Sequence, residues 1–438
     1  MQQDTGTTST LTRAQIASVA AGNALEFYDF VTYAFFATQI GRALFPGDRS
    51  STLLLSLATF GVGFLTRPLG GILIGRLADR RGRKPAMLLS FAIMGVAMCG
   101  LALTPPYVVI GFAAPLLAVF FRLLQGFALG GEVGPNIAFL LEAAPPGRRG
   151  FYISLNFASA DAAVLVAGLV GWVLSAQLDA TQLESWGWRV VMLIGAAIVP
   201  VGLRLRTTLT ETLDLNAAEP DAHKSEGDMT LGRPAQSVRA LAASGLMIIA
   251  GATISNYTLD YLTTYAQATL HMAVPTAFAA TIILGLVGLT GDLAGGLLSD
   301  RYGARRALIL PWLLLIASSV AVFEVLNAFP HPSVLLGCTA LLTTFHILGA
   351  SPATIHFVEA LPRRARAGTI GMVYAFAIAL FGGTTQVAET LLIRWTGSPV
   401  APGWYMTVAV AVALAGALRI KGAASSKSRT PVTIEART

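Results

Sequence analysis

The sequence predicts an all-α integral membrane protein, with twelve transmembrane helices in two pseudo-symmetric six-helix bundles. Three observations predict this class. First, 54% of the 438 residues are hydrophobic and only 12% are charged, against roughly 25% charged residues in soluble domains. Second, the apolar residues form runs long enough to cross a bilayer core of about 30 Å. Third, motifs in the first half of the chain recur in the second half.

A polar segment divides the apolar runs into two groups of six. The runs cover residues 15–43, 51–77, 86–104, 108–142, 151–178, 189–206, 239–269, 275–299, 305–328, 332–360, 367–393 and 402–420. The fourth run is long enough to predict a tilted helix that extends beyond the bilayer. The sequence therefore predicts an N-terminal tail, a first bundle, a linker, a second bundle and a basic C-terminal tail. Their bounds are 1–14, 15–206, 207–237, 238–420 and 421–438.

Lysine and arginine are concentrated at one end of this arrangement. The loops after even-numbered helices and the two tails hold 24 of the 30 basic residues, and the other loops hold four. Those four are Arg42, Arg49, Arg189 and Arg394. Because basic loops stay in the cytoplasm, we predict a multi-pass protein of the plasma (inner) membrane with both termini cytoplasmic. The net charge of +7 comes from these short loops, which argues against nucleic-acid binding.

Two motifs recur at about half the chain length. The loop after helix 2, residues 75–84, reads GRLADRRGRK, and residues 296–305 read GLLSDRYGAR. The pattern E-x-x-P-x-x-x-R is found at residues 142–149 and again at 359–366. Two such echoes are hard to obtain by chance, so the two halves are predicted to be homologous.

These loops and the six-plus-six layout resemble the major facilitator superfamily over the whole chain except its tails. Further segments are similar to its metabolite:proton symporter branch, which includes citrate, α-ketoglutarate, shikimate and proline/betaine carriers. The segments are Gly22–Phe30 in helix 1, Arg122–Glu132 in helix 4, Glu359–Pro362, and Phe381–Thr384 in helix 11. The resemblance implies two halves that rock about a central site near the membrane midplane.

The two repeated loops are the predicted gates. A carboxylate at a helix end can accept charge-assisted bonds from basic groups or from the N-terminus of a neighbouring helix. Such a clasp would hold the cytoplasmic side shut; the alternative is that these residues are only cytoplasmic anchoring charges. The candidate gating residues are Gly75, Asp79, Arg80, Gly82, Arg83, Asp300, Arg301, Gly303 and Arg305. Exchange of Asp79 for Asn is expected to cripple transport and leave membrane insertion intact.

Charged residues inside helices are costly in lipid, so they are candidates for function. Glu26 and Asp29 share a face of helix 1, and the apolar region of a cleavable signal peptide would not tolerate them. Protonation of such an acid would free Arg122 of helix 4 for an anionic substrate group. By resemblance to sugar-porter relatives, Asp29 with Arg122 is the first choice for the proton switch, with Glu26 or Glu132 second. The alternative is a static buried ion pair that fixes helix packing.

Polar residues near the centre of several helices are candidate substrate contacts. They are Tyr33, Arg122, Gln125, Asn156, Asp161, Asn256, Asp260 and Gln386. Hydrogen bonding between helices is the alternative explanation for each of them. The intramembrane acids are Glu26, Asp29, Glu132, Asp161, Asp260, Asp292 and Glu389, and the bases are Arg67 and Arg122, with His346 and His356 as further candidates.

This acid-rich inventory bears on the substrate. A citrate-like trianion would require several cationic donors, so Asp161 and Asp260 weaken a direct transfer of citrate specificity. The sequence predicts a proton-coupled symporter of a small organic acid, a mono-, di- or tricarboxylate. A zwitterion or cation, such as a betaine or an amino acid, whose amine meets Asp161 or Asp260, is the alternative.

Other functions are less favoured. A proton antiporter that works as an exporter is the rival within transport, but residues 151–171 contain no proline where its Gly/Pro-rich motif would lie. The short tails and linker leave no room for the signalling domain of a sensor. No enzyme is predicted, because no nucleophile with its base, phosphate loop or cofactor motif is found. We expect no cofactor or metal apart from the proton as coupling ion. The expected partners are the substrate and the bilayer, with the protein acting as a monomer.

Overall fold

The structure is a computed structural model that describes residues 13–81, 83–130, 140, 144–145, 147–207 and 236–420. All regular elements among these residues are helical, which confirms the predicted fold class. The predicted tails and linker lie almost entirely outside the described residues, so their bounds stay predictions.

The described residues of the first half form six long helices. They are α1 (Arg13–Phe35), α2 (Arg49–Val62 and Arg67–Arg81), α3 (Arg83–Leu103), α4 (Ala113–Leu129), α5 (Arg149–Gln177) and α6 (Trp188–Thr207). Short helices supplement them: Ala37–Leu44 after α1, Tyr107–Ile110 before α4, and Ala180–Gln182 with a π-helical turn, Leu183–Gly187, before α6. We call the end of the bundle that carries the α2–α3 loop the basic end, and the other end the opposite end.

The second half repeats the pattern. Its helices are α7 (Val238–Ala268), α8 (Val274–Tyr302), α9 (Ala304–Ala328), α10 (Pro332–Ala360), α11 (Arg363–Ala377 and Thr385–Thr396) and α12 (Ala401–Arg419). The two parts of α11 are joined by a π-helical turn, Ile378–Gly382. Within the described residues, eight helices are long and apolar enough to cross a membrane, and Leu88–Leu103 and Ala113–Leu129 are shorter apolar helices.

The fourth predicted span differs from the structure. Instead of one helix over 108–142, the chain turns at Gly111, whose φ of +56° lies in the left-handed region that favours glycine. The helix α4 begins only at Ala113. The predicted extension of this helix beyond Gly130 falls mostly outside the described residues.

The two halves meet along α5 and α8, and the contact between these two helices is called the α5–α8 seam. Small residues allow the close approach: a Cβ on Gly150 would lie 2.5 Å from the carbonyl oxygen of Gly296. Farther along, Gly285 faces the backbone of Leu165, again with no room for a side chain. The seam therefore joins the halves by backbone packing, as is common between membrane helices.

A second contact between the halves involves the segment Phe381–Thr384, which the sequence analysis singled out. Gly383 of α11 packs against Gly61 of α2 so closely that a Cβ on either glycine would collide with the other's carbonyl oxygen or Cα. At the opposite end, Gln39 donates from Nε2 to Oε1 of Gln267 at 2.9 Å, and the rings of Phe36 and Phe278 lie 4.7 Å apart. These contacts join the two halves at the opposite end of the bundle.

Candidate functional site

A cavity of about 130 Å³ lies between the halves, near the middle of the helices that line it. Seven helices contribute: α1, α2, α5, α7, α8, α10 and α11. Its charged and strongly polar lining includes Arg67, Asp161, Asn256, Asp260, Asp292 and His346. Among the described lining residues, Arg67 is the one arginine or lysine, and it shares the cavity with three carboxyl groups. The site is therefore suited to a small polar solute.

Arg67 begins the second segment of α2 and is held by aromatic rings. Its guanidinium carbon lies 4.6 Å from the ring centroid of Phe30 and 4.3 Å from that of Phe64. Cation–π contacts of this kind orient a guanidinium, whose planar set of donors matches the geometry of a carboxylate. The sequence identified Arg67 only as an intramembrane base, because it is an arginine inside an apolar run.

Three of the eight predicted substrate residues line the cavity: Asp161, Asn256 and Asp260. The amide of Asn256 lies one turn from Asp260 on α7 and donates from Nδ2 to Oδ2 of Asp260 at 3.4 Å. Asp292 and His346, which the sequence identified only as an intramembrane acid and a candidate base, also line the cavity, and Tyr374 was missed. No pattern within one sequence singles out Tyr374.

Two other predicted substrate residues are buried away from the cavity lining. The backbone carbonyl of Asn156 accepts from Nδ2 of Asn23 at 2.8 Å, so this part of α5 packs on α1. Gln386 of α11 is 1% exposed, and its side-chain atoms have no hydrogen-bond partner among the described residues. Substrate contact by Asn156 or Gln386 stays a prediction, which would require a different arrangement of the halves.

The predicted pair of Asp29 and Arg122 is bridged by a third residue. Gln125 of α4 donates from Nε2 to Oδ1 of Asp29 at 3.0 Å, and Oε1 of Gln125 accepts from Nη1 of Arg122 at 2.7 Å. The expectation of a direct ion pair is thus corrected, because the amide of Gln125 occupies the space between the two charges. All three side chains are buried and lie outside the cavity lining.

Aromatic rings surround the guanidinium of Arg122. Its central carbon lies 4.6 Å from the ring centroid of Tyr33, 5.1 Å from that of Phe60 and 5.2 Å from that of Phe30. Tyr33, a predicted substrate residue, is therefore a packing partner of Arg122 in this structure. Phe30 contacts both Arg122 and Arg67, and so connects the buried network to the cavity.

Two further acids were predicted to take part in proton coupling. The side chain of Glu26 and all of Glu132 lie outside the described residues, so their roles stay predictions. Glu389 of α11 is buried and accepts a hydrogen bond at Oε1 from Thr258 of α7. No group of three or more metal-ligating side chains is found in the described part of the chain.

The second predicted gating loop forms a clasp between the halves. Asp300, at the basic end of α8, accepts the backbone N–H of Gly150 at 2.7 Å and that of Phe151 at 3.0 Å. Its carboxylate thus caps the positive N-terminus of α5, a helix of the other half. The neighbouring gating candidates support the loop: Arg301 stacks on Tyr302, Gly303 has a φ of +85°, and Arg305 donates to the carbonyl of Leu418.

Most of the first predicted gating loop lies outside the described residues and side chains. The side chains of Asp79, Arg80 and Arg83, the burial of Gly75 and all of Gly82 lie outside what the structure describes. A matching clasp by Asp79 stays a prediction.

Asp300→Asn is expected to open the basic end of the α5–α8 seam. The amide keeps one acceptor oxygen but loses the charge and turns an N–H₂ toward two N–H groups, a loss of about 1.5 kcal/mol or more. Ser154 is buried at this seam beside Gly296. In a Cys99→Ser, Cys338→Ser background, a Ser154→Cys reporter should react with maleimide roughly tenfold faster after this exchange.

Asp48→Asn is the matched control, because Asp48 caps its own helix through Ser50 and Ser51 and touches no residue of the other half through these bonds. An unchanged labelling rate for Asp300→Asn would show that the clasp does not hold the seam closed.

Known proteins match this chain in sequence and in fold. The Major Facilitator Superfamily profile matches residues 16–385. A citrate-proton symporter of Salmonella typhi is 34% identical over 422 residues, with 95% of each chain covered. An alpha-ketoglutarate permease of Escherichia coli (strain K12) is 32% identical over 418 residues, with 94% of each chain covered. A proline/betaine transporter of Salmonella typhimurium is 28% identical over 432 residues, covering 96% of this chain and 86% of the relative.

Solved structures agree on the fold. The crystal structure of a D-xylose-proton symporter matches with a TM-score of 0.75 at 17% identity, over 92% of this chain and 96% of that chain. At this identity the likeness concerns the fold alone. The sequence relatives also confirm the resemblance to the metabolite:proton symporter branch. The chain is a multi-pass membrane transporter that belongs to the major facilitator superfamily.

Proposed function

We propose that this protein is a secondary active transporter that carries a small organic acid together with protons. The cavity between two homologous halves supports transport by alternating access, since each half can rock about the solute. The similar citrate-proton symporter and alpha-ketoglutarate permease support a carboxylate as the solute and the proton as the coupling ion.

A second cavity, at the opposite end, carries the preference for an anion. This vestibule measures about 480 Å³ and is lined by Arg42, Arg49 and Arg394, with Glu184 as the one acid among its described lining residues. Glu184 forms an ion pair with Arg42, which leaves the local charge positive. A concave positive surface concentrates anions at its mouth. A carboxylate would thus pass from the arginines of the vestibule to Arg67 in the central cavity.

A zwitterionic or cationic metabolite is the second candidate. Asp161, Asp260 and Asp292 face the central cavity and outnumber Arg67. An amine or quaternary ammonium group would be stabilised by these carboxyls, and a proline/betaine transporter is among the similar proteins. The same count argues against a fully ionised tricarboxylate, which would require more than one cationic partner.

For the coupling proton, we propose Asp29 as a carrier. It is a buried carboxyl in the middle of α1 whose Oδ2 has no hydrogen-bond partner among the described residues. Gln125 relays its state to Arg122 through two hydrogen bonds. Gain of a proton removes the charge that Gln125 and Arg122 stabilise, so the network can rearrange as the halves move.

The proposed setting is the plasma (inner) membrane, with both termini in the cytoplasm and the vestibule on the outer face. The excess of basic residues in the even-numbered loops supports this orientation. Because the central cavity is formed within one chain, a monomer suffices for transport.

Uptake by proteoliposomes tests the proposed function. Purified protein is reconstituted, an inside-alkaline pH gradient is imposed, and mono-, di- and tricarboxylates are compared with betaine and amino acids. We expect at least one carboxylate to accumulate above its external concentration and to be released by a protonophore. Accumulation only of betaine or of amino acids would overturn the organic-acid assignment.

Neutralising the vestibule arginines distinguishes the two candidate substrate classes. Arg49→Gln with Arg394→Gln should raise KM for a dicarboxylate several-fold at low ionic strength, because electrostatic steering raises local anion concentration. The effect should fade near 1 M salt, where the screening length falls to about 3 Å. An equal effect at both salt concentrations would argue against steering. Arg239→Gln, an exposed arginine at the basic end of α7, is the control.

A further inference from the structure

Two carboxyl groups from different halves lie side by side in the α5–α8 seam. They belong to Asp161 of α5, whose carboxyl lies against Gly288 of α8, and to Asp292, one turn farther along α8; both line the central cavity. Asp292 is only 2% exposed, and its Oδ2 has no donor among the described residues; Oδ2 of Asp161 has none either. Two carboxylates in contact repel, whereas a carboxylic acid donates to a carboxylate. One proton shared between the two carboxyls removes this repulsion.

The local structure is shaped to admit this contact. Gly288 lies one turn before Asp292 on α8, and a Cβ there would collide with the Asp161 carboxyl. The carboxyl of Asp161 therefore occupies the space that a side chain at residue 288 would fill. On the other side, Ser351 of α10 donates its hydroxyl to Oδ1 of Asp292. This bond fixes Asp292 with Oδ2 left for its partner across the seam.

Other titratable groups face the same space. Asp260 and Tyr257 project from α7, His346 from α10, Arg67 from α2 and Tyr374 from α11. The helix α1 contributes the apolar Phe27 and Val31. The pair itself differs from these neighbours because it joins one residue of each half, so its charge state acts directly on the contact between the halves.

We propose that Asp161 and Asp292 form a second proton-binding site, distinct from Asp29, which binds a proton only while the α5–α8 seam is closed. When the seam opens, the two carboxyls separate, each regains water, and the shared proton is released. When it closes, one proton is taken up from solution. Proton binding and seam closure are therefore linked, and closure is favoured at low pH.

This inference rests on the proposed proton-coupled transport for its biological meaning, but the linkage can be measured without any substrate. Spin labels are placed at Arg148→Cys and Tyr302→Cys, which are exposed at the basic ends of α5 and α8. The background carries Cys99→Ser and Cys338→Ser. Pulsed electron paramagnetic resonance then measures the distance between the two labels in lipid nanodiscs from pH 5 to pH 9. It gives the ratio of molecules with a short distance to molecules with a long one.

In the parent protein we expect a short distance at low pH and a growing long-distance population as pH rises. One proton per closure changes the ratio by up to about tenfold per pH unit. Asp161→Asn and Asp292→Asn should each flatten this profile, because an amide donates to the remaining carboxylate at every pH. Either single variant suffices, so poor folding of one leaves the test intact. Glu324→Gln, at an exposed acid of α9, should keep the parent profile.

A pH-dependent profile that both Asn variants retain would overturn the proposed site. So would a parent protein with no pH dependence, or a profile that only Asp260→Asn removes. Failure of the proposed function looks different, since the distance profile can follow the expected pattern in a protein that accumulates no carboxylate.

Discussion

Asp29→Asn is expected to abolish proton-driven accumulation and to leave substrate exchange intact. The amide keeps the shape of the side chain and the oxygen that accepts Nε2 of Gln125 at 3.0 Å, but it cannot carry a proton. In the parent protein, one coupled proton allows about tenfold accumulation per unit of pH gradient. In the variant, the ratio of internal to external solute should fall to about one.

The measurement pairs two assays on the same proteoliposomes. Counterflow, in which internal unlabelled solute exchanges with external labelled solute, reports whether the halves still alternate. Uptake under an imposed pH gradient reports coupling. Asp179→Asn, at an exposed acid that caps the short helix before α6, is the control. Retained accumulation in Asp29→Asn would exclude Asp29 as the coupling residue.

Arg67→Gln should have the second large effect, a loss of affinity for the carboxylate. Arg67 is the one arginine or lysine among the described residues of the central cavity. A hydrogen bond between charged groups contributes about 1.5–3 kcal/mol, so KM should rise on the order of 10- to 100-fold. Arg67→Lys keeps the charge but loses the planar pair of donors, and its KM should lie between the two.

The kinetic constants separate binding from folding in this experiment. A lost substrate contact raises KM, whereas a smaller number of folded carriers lowers only the maximal rate. Arg239→Gln again serves as the exposed control. An unchanged KM in Arg67→Gln would place the substrate carboxylate elsewhere. A lower KM for betaine in the same variant would favour the zwitterionic candidate.

Much of the fold was predictable because it depends on local chemistry. Apolar runs, the polar linker and the repeated loops predict the helices and the two halves without any knowledge of packing. The repeated aspartate also predicted a clasp; Asp300 caps α5 across the halves, and its gating role stays a prediction. The break before α4 was missed, since the left-handed conformation of Gly111 has no distinct signal among so many glycines.

The site was only partly predictable, because lining a cavity depends on how helices from two halves face each other. The spacing of Arg122 and Gln125 placed them on one face of α4, yet it could not show which of them reaches Asp29. Asn156 and Asp161 lie five residues apart on α5; the backbone of Asn156 contacts α1, whereas Asp161 lines the cavity. The contact between Asp161 and Asp292 joins residues 131 positions apart, which no local pattern reveals.

Proton movement during substrate entry tests the central claim most directly. Proteoliposomes that trap a pH-sensitive dye, with no initial pH gradient, receive an inward gradient of the carboxylate that the uptake screen identifies; protein-free liposomes correct for passive acid permeation. A proton symporter must acidify the lumen as the solute enters, and Asp29→Asn must not. Solute entry with no change in luminal pH would contradict proton coupling, and luminal alkalinisation would indicate an antiporter.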